Sequence, residues 1–376
     1  MRNVIMCLSI MFLAVCSEYI AEASPSVSAR AAIVIENSSG KIIYEKNPYE
    51  KLPMASTTKI MTALCAIENS FPDMYVSIDD SAVGIEGSSV YLTHGEIMTI
   101  RDLLYATMLA SGNDAATAIA IEISGSVGEF AKLMNETAQK IGATDTNFVN
   151  ACGLYEDNHY TTAYDLAIIS AYAMENQIFS EIVSTKSATI PGADNGSCRV
   201  LKNHNKLLSL YDGCIGVKTG YTKKCGRCLV SCAQRNGVTL TCVTLNAPDD
   251  WNDHIKLLDY GFSNVKMNRV VCGGQYALSV NVKNSYSAVQ PLMFEEDLSY
   301  ISTSSESESP EIEYVIDNII KAPLDIGDAV GEARLCINGV VVDSSKLICK
   351  ERVDIVREKA FGDVFIHNIN MMSCVF

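Results

Sequence analysis

A stretch that is apolar around its whole circumference follows Lys59 and restricts the fold more than any other part of this sequence. At helical spacing its only polar position is Thr62, and its apolar residues are Ile60, Met61, Ala63, Leu64, Cys65, Ala66 and Ile67. A helix that is apolar on nearly all faces belongs in the interior, where other elements cover every side. The sequence therefore predicts a domain built around a buried helix that begins near Ser56.

Segments typical of β-strands lie on both sides of a region that is typical of helices. Residues 31–36, 41–45 and 213–245 are β-rich, the last with an Asn-Gly hairpin turn at Asn236. The predicted helices lie between them, at residues 100–110, 114–124 and 130–141. Strands, helices and then strands predict a sheet whose first strands pair with late ones and which helices cover.

Helix caps and a change of pattern define further boundaries. Thr99 and Asp102 form a capping box at the start of the helix predicted from residue 100. After residue 261 helical periodicity fades, and short β-like runs follow at residues 276–282, 314–320 and 333–342. We therefore expect a larger domain at 24–266, a small all-β domain at 267–355, and a tail at 356–376.

The first residues match an export signal. Arg2 precedes an apolar run at residues 4–15, which is too short for a bilayer span of about 20 residues. Ala21 and Ala23 then form a small-residue cleavage site. The sequence therefore predicts a signal peptide at 1–23 and export from the cytoplasm.

Charge and cysteine content narrow the classes of partner and compartment. With a net charge of −15 and no run of Lys or Arg, the chain is not expected to bind nucleic acid, or anionic lipid by charge alone. The 14 cysteines are compatible with disulfides or with small core residues. Cys225 and Cys228 match a redox motif, but a strand through both would turn them to opposite faces, which favours core cysteines.

Ser56 and Lys59 form an S-x-x-K pair at the start of the buried helix. A serine hydroxyl needs a base to become a nucleophile, and a lysine one helical turn away reaches it. The lysine serves as that base only if burial or a nearby cation lowers its pKa. Two other pairs have the same spacing, Ser38 with Lys41 and Ser263 with Lys266, but neither lies at the start of an apolar helix.

Two further motifs follow in the chain. Ser-Gly-Asn at 111–113 lies between two predicted helices, where these residues are also ordinary loop and N-cap residues. Lys-Thr-Gly at 218–220 lies in a strand whose glycines let another backbone approach, although Lys218 alone would be an exposed strand lysine. The order S-x-x-K, S-x-N, K-T-G matches the motifs of β-lactamases and penicillin-binding proteins.

On these motifs the chain resembles a low-molecular-mass penicillin-binding protein of the D-alanyl-D-alanine carboxypeptidase family. The resemblance covers about residues 31–262, including residues 52–62, 103–116, 159–166 and 212–222. Residues 271–353 resemble the C-terminal β domain of the family more loosely. The resemblance implies an α/β (α+β) β-lactamase/transpeptidase-like catalytic domain at 24–266, with an antiparallel sheet flanked by helices. The small C-terminal all-β domain follows it.

The resemblance also implies roles for residues. Ser56 would carry the acyl group, Lys59 would accept its proton, and Ser111 would pass a proton to the leaving amine. The residues implied to bind the substrate are Asn113, Lys218, Thr219, Gly220 and Tyr221. The oxyanion would lie between the backbone N–H groups of Ser56 and Tyr221, and Lys218 would attract the terminal carboxylate and help lower the pKa of Lys59.

The implied partners are peptidoglycan stem peptides, with β-lactams as covalent inhibitors. No metal, nucleotide or other cofactor is implied. The implied location is outside a bacterial cell or at the outer face of its cytoplasmic membrane.

Related functions share this machinery. A serine β-lactamase needs a deacylating Glu, usually in an E-x-x-x-N loop, and residues 156–160 lack that spacing, so we expect a slowly hydrolysed penicillin adduct. A non-catalytic β-lactam-sensing or wall-binding module is expected to have damaged motifs, whereas all three are intact. A transpeptidase passes the same acyl group to an amine, and the sequence does not exclude this activity.

The tail has two interpretations. Family members often end in an amphipathic helix on the membrane, and from residue 360 onward only Asp363 is charged. One apolar stripe would consist of Phe361, Val364, Phe365, Ile369 and Met372. A last strand or a frayed tail accounts for the same residues equally well.

Overall fold

The computed structural model describes residues 7–8, 24–193, 196–285, 289–303, 308–317 and 319–355. The predicted tail at 356–376, and the predicted signal peptide apart from residues 7–8, lie outside this part of the chain. Two compact units are present, Tyr19–Lys266 and Met267–Phe376 with Met1–Glu18. Along the described residues, no helix combines the length and apolarity that crossing a bilayer requires.

Helices and strands are mixed in the first unit, and the described residues of the second form strands and the turns between them. The helices are α1 (Lys59–Asn69), α2 (Ile100–Met108), α3 (Asn113–Ser124), α4 (Val127–Ile141), α5 (Ala163–Glu175), α6 (Gln177–Ser184), α7 (Leu207–Leu210) and α8 (Asp250–Asn264), with 3₁₀ turns at Ala55–Thr58 and Asp80–Ala82. The strands are β1 (Cys7–Leu8), β2 (Ala31–Glu36), β3 (Ile42–Lys46), β4 (Tyr75–Ser77), β5 (Ile97–Thr99), β6 (Ser187–Pro191), β7 (Cys198–Lys202), β8 (Cys214–Thr222), β9 (Gly226–Arg235), β10 (Val238–Leu245), β11 (Val265–Val271), β12 (Tyr276–Lys283), β13 (Val289–Phe294), β14 (Leu298–Thr303), β15 (Pro310–Ile316), β16 (Ile320–Lys321), β17 (Ala329–Ile337) and β18 (Val340–Cys349).

The main sheet of the first unit has the strand order β3-β2-β10-β9-β8. All neighbours are antiparallel, and β10 pairs with β2, with Thr241 opposite Ile35. The prediction that the first strands pair with late ones is therefore confirmed. The β9–β10 turn has Asn236 at φ 51° and Gly237 at φ 81°, left-handed values that a two-residue type I′ hairpin turn requires.

Helix α1 lies in the interior, as its all-round apolar pattern predicts. Ile60, Met61, Leu64 and Cys65 are at most 1% exposed. The helix packs against α2, α3, α4 and α5. Because burying each large apolar side chain contributes roughly 1.5–3 kcal/mol, this packing holds the start of the helix, and with it Lys59, in one position.

Helix ends follow their caps. The hydroxyl of Thr99 accepts the backbone N–H of Asp102 at 3.1 Å, and the Asp102 carboxylate accepts that of Thr99 at 3.3 Å, which confirms the predicted capping box. The helix predicted from residue 130 begins three residues earlier, at Val127, because Ser126 caps it. Apolar periodicity marks the buried face of a helix, whereas the cap marks its true start.

The sheet of the second unit has the strand order β1-β15-β17-β18-β13-β12-β16 in the described residues. Its core contains Leu292, Leu298, Ala333, Leu335 and Leu347, all fully buried. The run predicted at 333–342 is wrong as a single strand. The chain reverses at Asn338 (φ 52°) and Gly339 (φ 79°), and β17 and β18 pair across that turn.

The cysteines from Cys65 to Cys349 are free thiols. Burial raises the pKa of Cys228 and Cys232 to about 12, so both stay protonated. Cys225 lies in the turn before β9 and Cys228 lies within it, so the expected strand through both is wrong. Both are nevertheless buried and free, and they pack as ordinary core residues.

Candidate active site

Ser56 lies in the 3₁₀ turn that leads into α1, and Lys59 is the first residue of that helix. This spacing places Lys59 Nζ 3.2 Å from Ser56 Oγ. The turn is tightened by the Thr57 hydroxyl, which donates to the carbonyl of Met54 at 2.6 Å. A serine hydroxyl and a lysine amine are therefore held within hydrogen-bond reach, as a nucleophile and its base must be.

The amine of Lys59 is fully buried. It donates to Asn113 Oδ1 at 2.6 Å and to the carbonyl of Cys152 at 2.7 Å. Burial lowers the pKa of Lys59 from 10.5 to about 8, although the nearby Cys152 and Asp114 act in the opposite direction. A useful fraction of this amine is therefore neutral near pH 7, which a proton acceptor requires.

The second motif lies in the sharp turn between α2 and α3. Ser111 is buried with φ 60°, and no hydrogen bond joins its hydroxyl to Ser56 or Lys59 within the described residues. The Asn113 backbone donates to Ser88 O at 2.7 Å, and its Nδ2 donates to Glu86 O at 2.5 Å. The motif thus connects Lys59 to the loop at residues 86–92.

Asp114 organises this loop, a role that the sequence reasoning missed. Its buried carboxylate accepts the Ser89 hydroxyl at 2.6 Å and the backbone N–H groups of Val90 and Leu92 at 3.1 Å. A carboxylate with this many donors is well satisfied in the interior. The only signal in the sequence was its place directly after Asn113.

The third motif lies in the edge strand β8. Lys218 is only 1% exposed, so the interpretation as an exposed strand lysine is wrong. Its Nζ donates to the carbonyl of Thr219 at 3.1 Å. Burial is the main cause of the lowered pKa of Lys218, and the charge of Lys59 is the second cause. At Lys59, burial is what lowers the pKa. Repulsion between two cationic amines acts on both of them, so the expected effect of Lys218 on the pKa of Lys59 stays a prediction.

Gly220 lets β8 pack closely against the 3₁₀ turn at Ala55–Thr58, which contains Ser56. A Cβ at this glycine would lie 3.1 Å from Ser56 N, Thr57 N and Met54 O. The missing side chain of this strand glycine therefore lets the backbone of the turn approach, whereas the expected approach of a substrate backbone stays a prediction. The next residue, Tyr221, is 65% exposed, so its ring faces solvent while its backbone adjoins the turn.

Residues 150–153 form a second support of Lys59, and no role for them was predicted from the sequence. Asn150 Oδ1 accepts the backbone N–H of Gly153 at 2.7 Å and that of Cys152 at 3.2 Å. This contact aims the Cys152 carbonyl at Lys59. Gly153 has φ 85°, and a Cβ there would lie 2.0 Å from Ala55 O, so only glycine fits against the turn.

Glu156 is exposed, on the turn before His159. Within the described residues no hydrogen bond connects its carboxylate to Ser56 or Lys59. The pocket that it lines, of about 470 Å³, is formed with Val149, Asn150, Asp157 and Asn158. Along the described chain, no cluster of three His, Cys, Asp or Glu residues is arranged to hold a metal ion.

Comparison with known proteins identifies the family. The model of the D-alanyl-D-alanine carboxypeptidase family matches residues 18–249. The chain belongs to this family. The model of the penicillin-binding protein 5 C-terminal domain matches residues 266–354. The resemblance and the fold class predicted from the sequence are both confirmed.

Individual members of the family align along most of the chain. The D-alanyl-D-alanine carboxypeptidase DacF of Bacillus subtilis is 33% identical, over 86% of this chain and 85% of its own. The structure of a peptidoglycan synthesis regulatory factor (PBP3) of Streptococcus pneumoniae has a TM-score of 0.72 at 26% identity, covering 88% of this chain and 100% of that one. The Streptomyces K15 DD-transpeptidase has a TM-score of 0.61 at 34% identity, covering 64% of this chain and 100% of that one.

Proposed function

We propose that this chain is a serine-type D-Ala-D-Ala carboxypeptidase that removes the terminal D-alanine from peptidoglycan stem peptides through an acyl-enzyme on Ser56. The observation that carries the proposal is the 3.2 Å contact between Ser56 Oγ and the amine of Lys59, which burial keeps partly neutral near pH 7. A contact between two exposed, ordinary side chains would support no such chemistry.

In the proposed reaction, neutral Lys59 takes the hydroxyl proton while Ser56 Oγ attacks the carbonyl carbon between the two D-alanines. The C–N bond then breaks while Ser111 gives its hydroxyl proton to the departing amine, and D-alanine leaves. Ser111 takes up the proton held by Lys59, which returns to its neutral form. Water attacks the acyl-enzyme, returns a proton to Ser56 Oγ, and releases the shortened peptide.

The proposed substrate contacts follow from the same elements. The substrate carboxylate binds Lys218 and Thr219, and its backbone lies along β8 beside Gly220. One N–H of the Asn113 amide is used on Glu86 O, so the other N–H is the proposed donor to the substrate. The backbone N–H groups of Ser56 and Tyr221 hold the oxyanion, which the close approach of Gly220 to Ser56 N supports.

Incubation with a diacyl-L-Lys-D-Ala-D-Ala tripeptide and with fluorescent penicillin tests the proposal. The wild-type protein should release D-alanine and carry the penicillin on Ser56, and Ser56→Ala should do neither. Ser38→Ala is the matched control, because Ser38 has the same spacing to a lysine but lies in the β2–β3 turn. An adduct that persists in Ser56→Ala would contradict the assignment.

The same experiment separates the related functions. Rapid turnover of nitrocefin would indicate a β-lactamase, whereas we expect a persistent adduct because Glu156 is exposed and makes no contact with Ser56 in the described residues. Adding an amine acceptor such as glycine tests transpeptidation, an activity named for the similar Streptomyces protein. A product joined to glycine in place of the hydrolysed peptide would make transfer the main reaction.

The proposed location is outside the cytoplasm, because the family's substrate, peptidoglycan, lies there. The mature chain should begin at Ser24 after removal of residues 1–23, as mass spectrometry of the secreted protein would measure. Residues 360–376 are proposed to attach the protein to the membrane surface. Deleting them should move the protein from the membrane to the soluble fraction, and unchanged fractionation would refute the attachment.

A further inference from the structure

A chain of three hydrogen bonds leads from a distant backbone group to the nucleophile turn. The backbone N–H of Val149 donates to His159 Nδ1 at 3.1 Å, and His159 Nε2 lies 2.7 Å from the hydroxyl of Thr58. That hydroxyl donates to the carbonyl of Ala55 at 2.8 Å. A backbone N–H can only donate, so Nδ1 is the acceptor and the ring proton is on Nε2. His159 Nε2–H therefore donates to the Thr58 hydroxyl, and that hydroxyl donates to the carbonyl oxygen of Ala55.

The groups that form these three hydrogen bonds lie in the interior of the protein. His159 and Thr58 are at most 3% exposed, and the edge of the Phe148 ring packs against the imidazole with the ring centroids 5.9 Å apart. Burial lowers the pKa of His159 to about 4. The ring is therefore neutral and in a single tautomer near pH 7.

The carbonyl at the end of this chain belongs to the peptide bond before the nucleophile. A peptide unit is planar and trans, so the carbonyl of Ala55 and the N–H of Ser56 point in opposite directions in one plane. Fixing the carbonyl therefore fixes the direction of the N–H. Ala55 has φ 50°, a conformation that a residue with a side chain keeps only when its surroundings hold it.

We propose that His159 is a positioning residue that, through Thr58, aims the backbone N–H of Ser56 at the carbonyl oxygen of the bound substrate. The inference rests on the proposed function, in which that N–H stabilises the oxyanion. His159 touches no reacting atom. Its effect is on the rate of acylation and not on the affinity for substrate, because an oxyanion donor acts most strongly in the transition state.

The test compares Thr58→Val, which keeps the shape of the side chain and removes the hydroxyl, with Thr58→Ser, which keeps the hydroxyl. The acylation rate constant and the dissociation constant for benzylpenicillin are measured by stopped flow and normalised to folded protein. Thr58→Val and His159→Gln should slow acylation about tenfold or more with little change in the dissociation constant, since loss of a whole oxyanion donor costs about 10²–10³-fold. Thr58→Ser should restore most of the rate.

His254→Gln is the matched control. His254 is also a buried neutral histidine, with Ser231 Oγ at 2.6 Å and Thr244 Oγ1 at 2.9 Å, but its partners lie in β9 and β10. It should lower stability without slowing acylation of the folded protein. If Thr58→Val acylates at the wild-type rate, or slows only as much as His254→Gln, the inference is refuted. If wild-type Ser56 forms no adduct at all, the proposed function fails instead.

Discussion

Replacing Asn113 with Asp should move the pH dependence of acylation, because Asn113 Oδ1 lies 2.6 Å from the amine of Lys59. With a pKa of about 8, about one tenth of this amine is neutral at pH 7. At the ordinary value of 10.5 only about three molecules in ten thousand would be neutral. Burial therefore supplies roughly 300-fold more base at pH 7.

A carboxylate at this position opposes that effect. An opposite charge within about 4–6 Å favours the protonated amine and raises its pKa by roughly 1–3 units. Asn113→Asp should therefore reduce acylation at pH 7 by about 10–1000-fold. The base is the neutral amine, so activity rises with pH up to the pKa of Lys59 and then levels off. Wild type should level off near pH 8, and the variant above about pH 9.

The assay is the rate constant for acylation by benzylpenicillin from pH 6 to 10, at saturating concentration. Asn113→Ala is the control, because it removes the same contacts without adding charge and should lower the rate without moving the midpoint to higher pH. A wild-type rate that still rises tenfold per pH unit above pH 9 would refute a lowered pKa at Lys59. Equal midpoints for the Asp and Ala variants would refute the electrostatic argument.

Further predictions concern folding and packing, and denaturant unfolding measures each of them. Gly153→Ala should destabilise the protein by about 2–4 kcal/mol and abolish the penicillin adduct, since its Cβ would lie 2.0 Å from a backbone oxygen. Gly40→Ala, with nothing within 4 Å, should cost only about 1–2 kcal/mol and keep the adduct; similar losses for both would contradict the steric argument. Phe130→Ala should cost about 3–5 kcal/mol because Phe130 is fully buried, and a loss below about 1 kcal/mol would mean that α4 does not pack as described. Glu96→Leu should cost about 3 kcal/mol, since it leaves the largely buried guanidinium of Arg199 without its carboxylate, and an unchanged stability would show that the pair contributes nothing.

The sequence predicted most of what depends on patterns that extend over many residues. The all-round apolar run from Ile60 predicted a buried helix, and the strand-helix-strand order predicted the pairing of β2 with β10. These signals are reliable because many side chains must satisfy the same burial requirement together. The prediction of one strand at residues 333–342 was wrong because an Asn-Gly turn at Asn338 interrupts this mostly apolar stretch.

The site was predictable only in part. The motifs named Ser56 and Asn113, whose side chains contact the amine of Lys59. The further acceptor for this amine is the backbone carbonyl of Cys152, and a carbonyl is present at every residue. The burial of Lys218 could not be predicted from its own strand either, because it depends on elements distant in sequence. His159 was part of the family resemblance, yet its contact with Thr58 spans about 100 residues of chain and follows from the fold alone.

Two exposed free thiols offer attachment points for spectroscopic labels. Among the cysteines from Cys65 to Cys349, Cys198 and Cys272 are the exposed ones, and they lie in different units. The thiols of Cys228 and Cys232, with their pKa raised to about 12, are almost fully protonated at neutral pH and react slowly with maleimides. A fluorophore or spin label attached to each exposed thiol would therefore report the separation of the two units, and any change in it when penicillin binds.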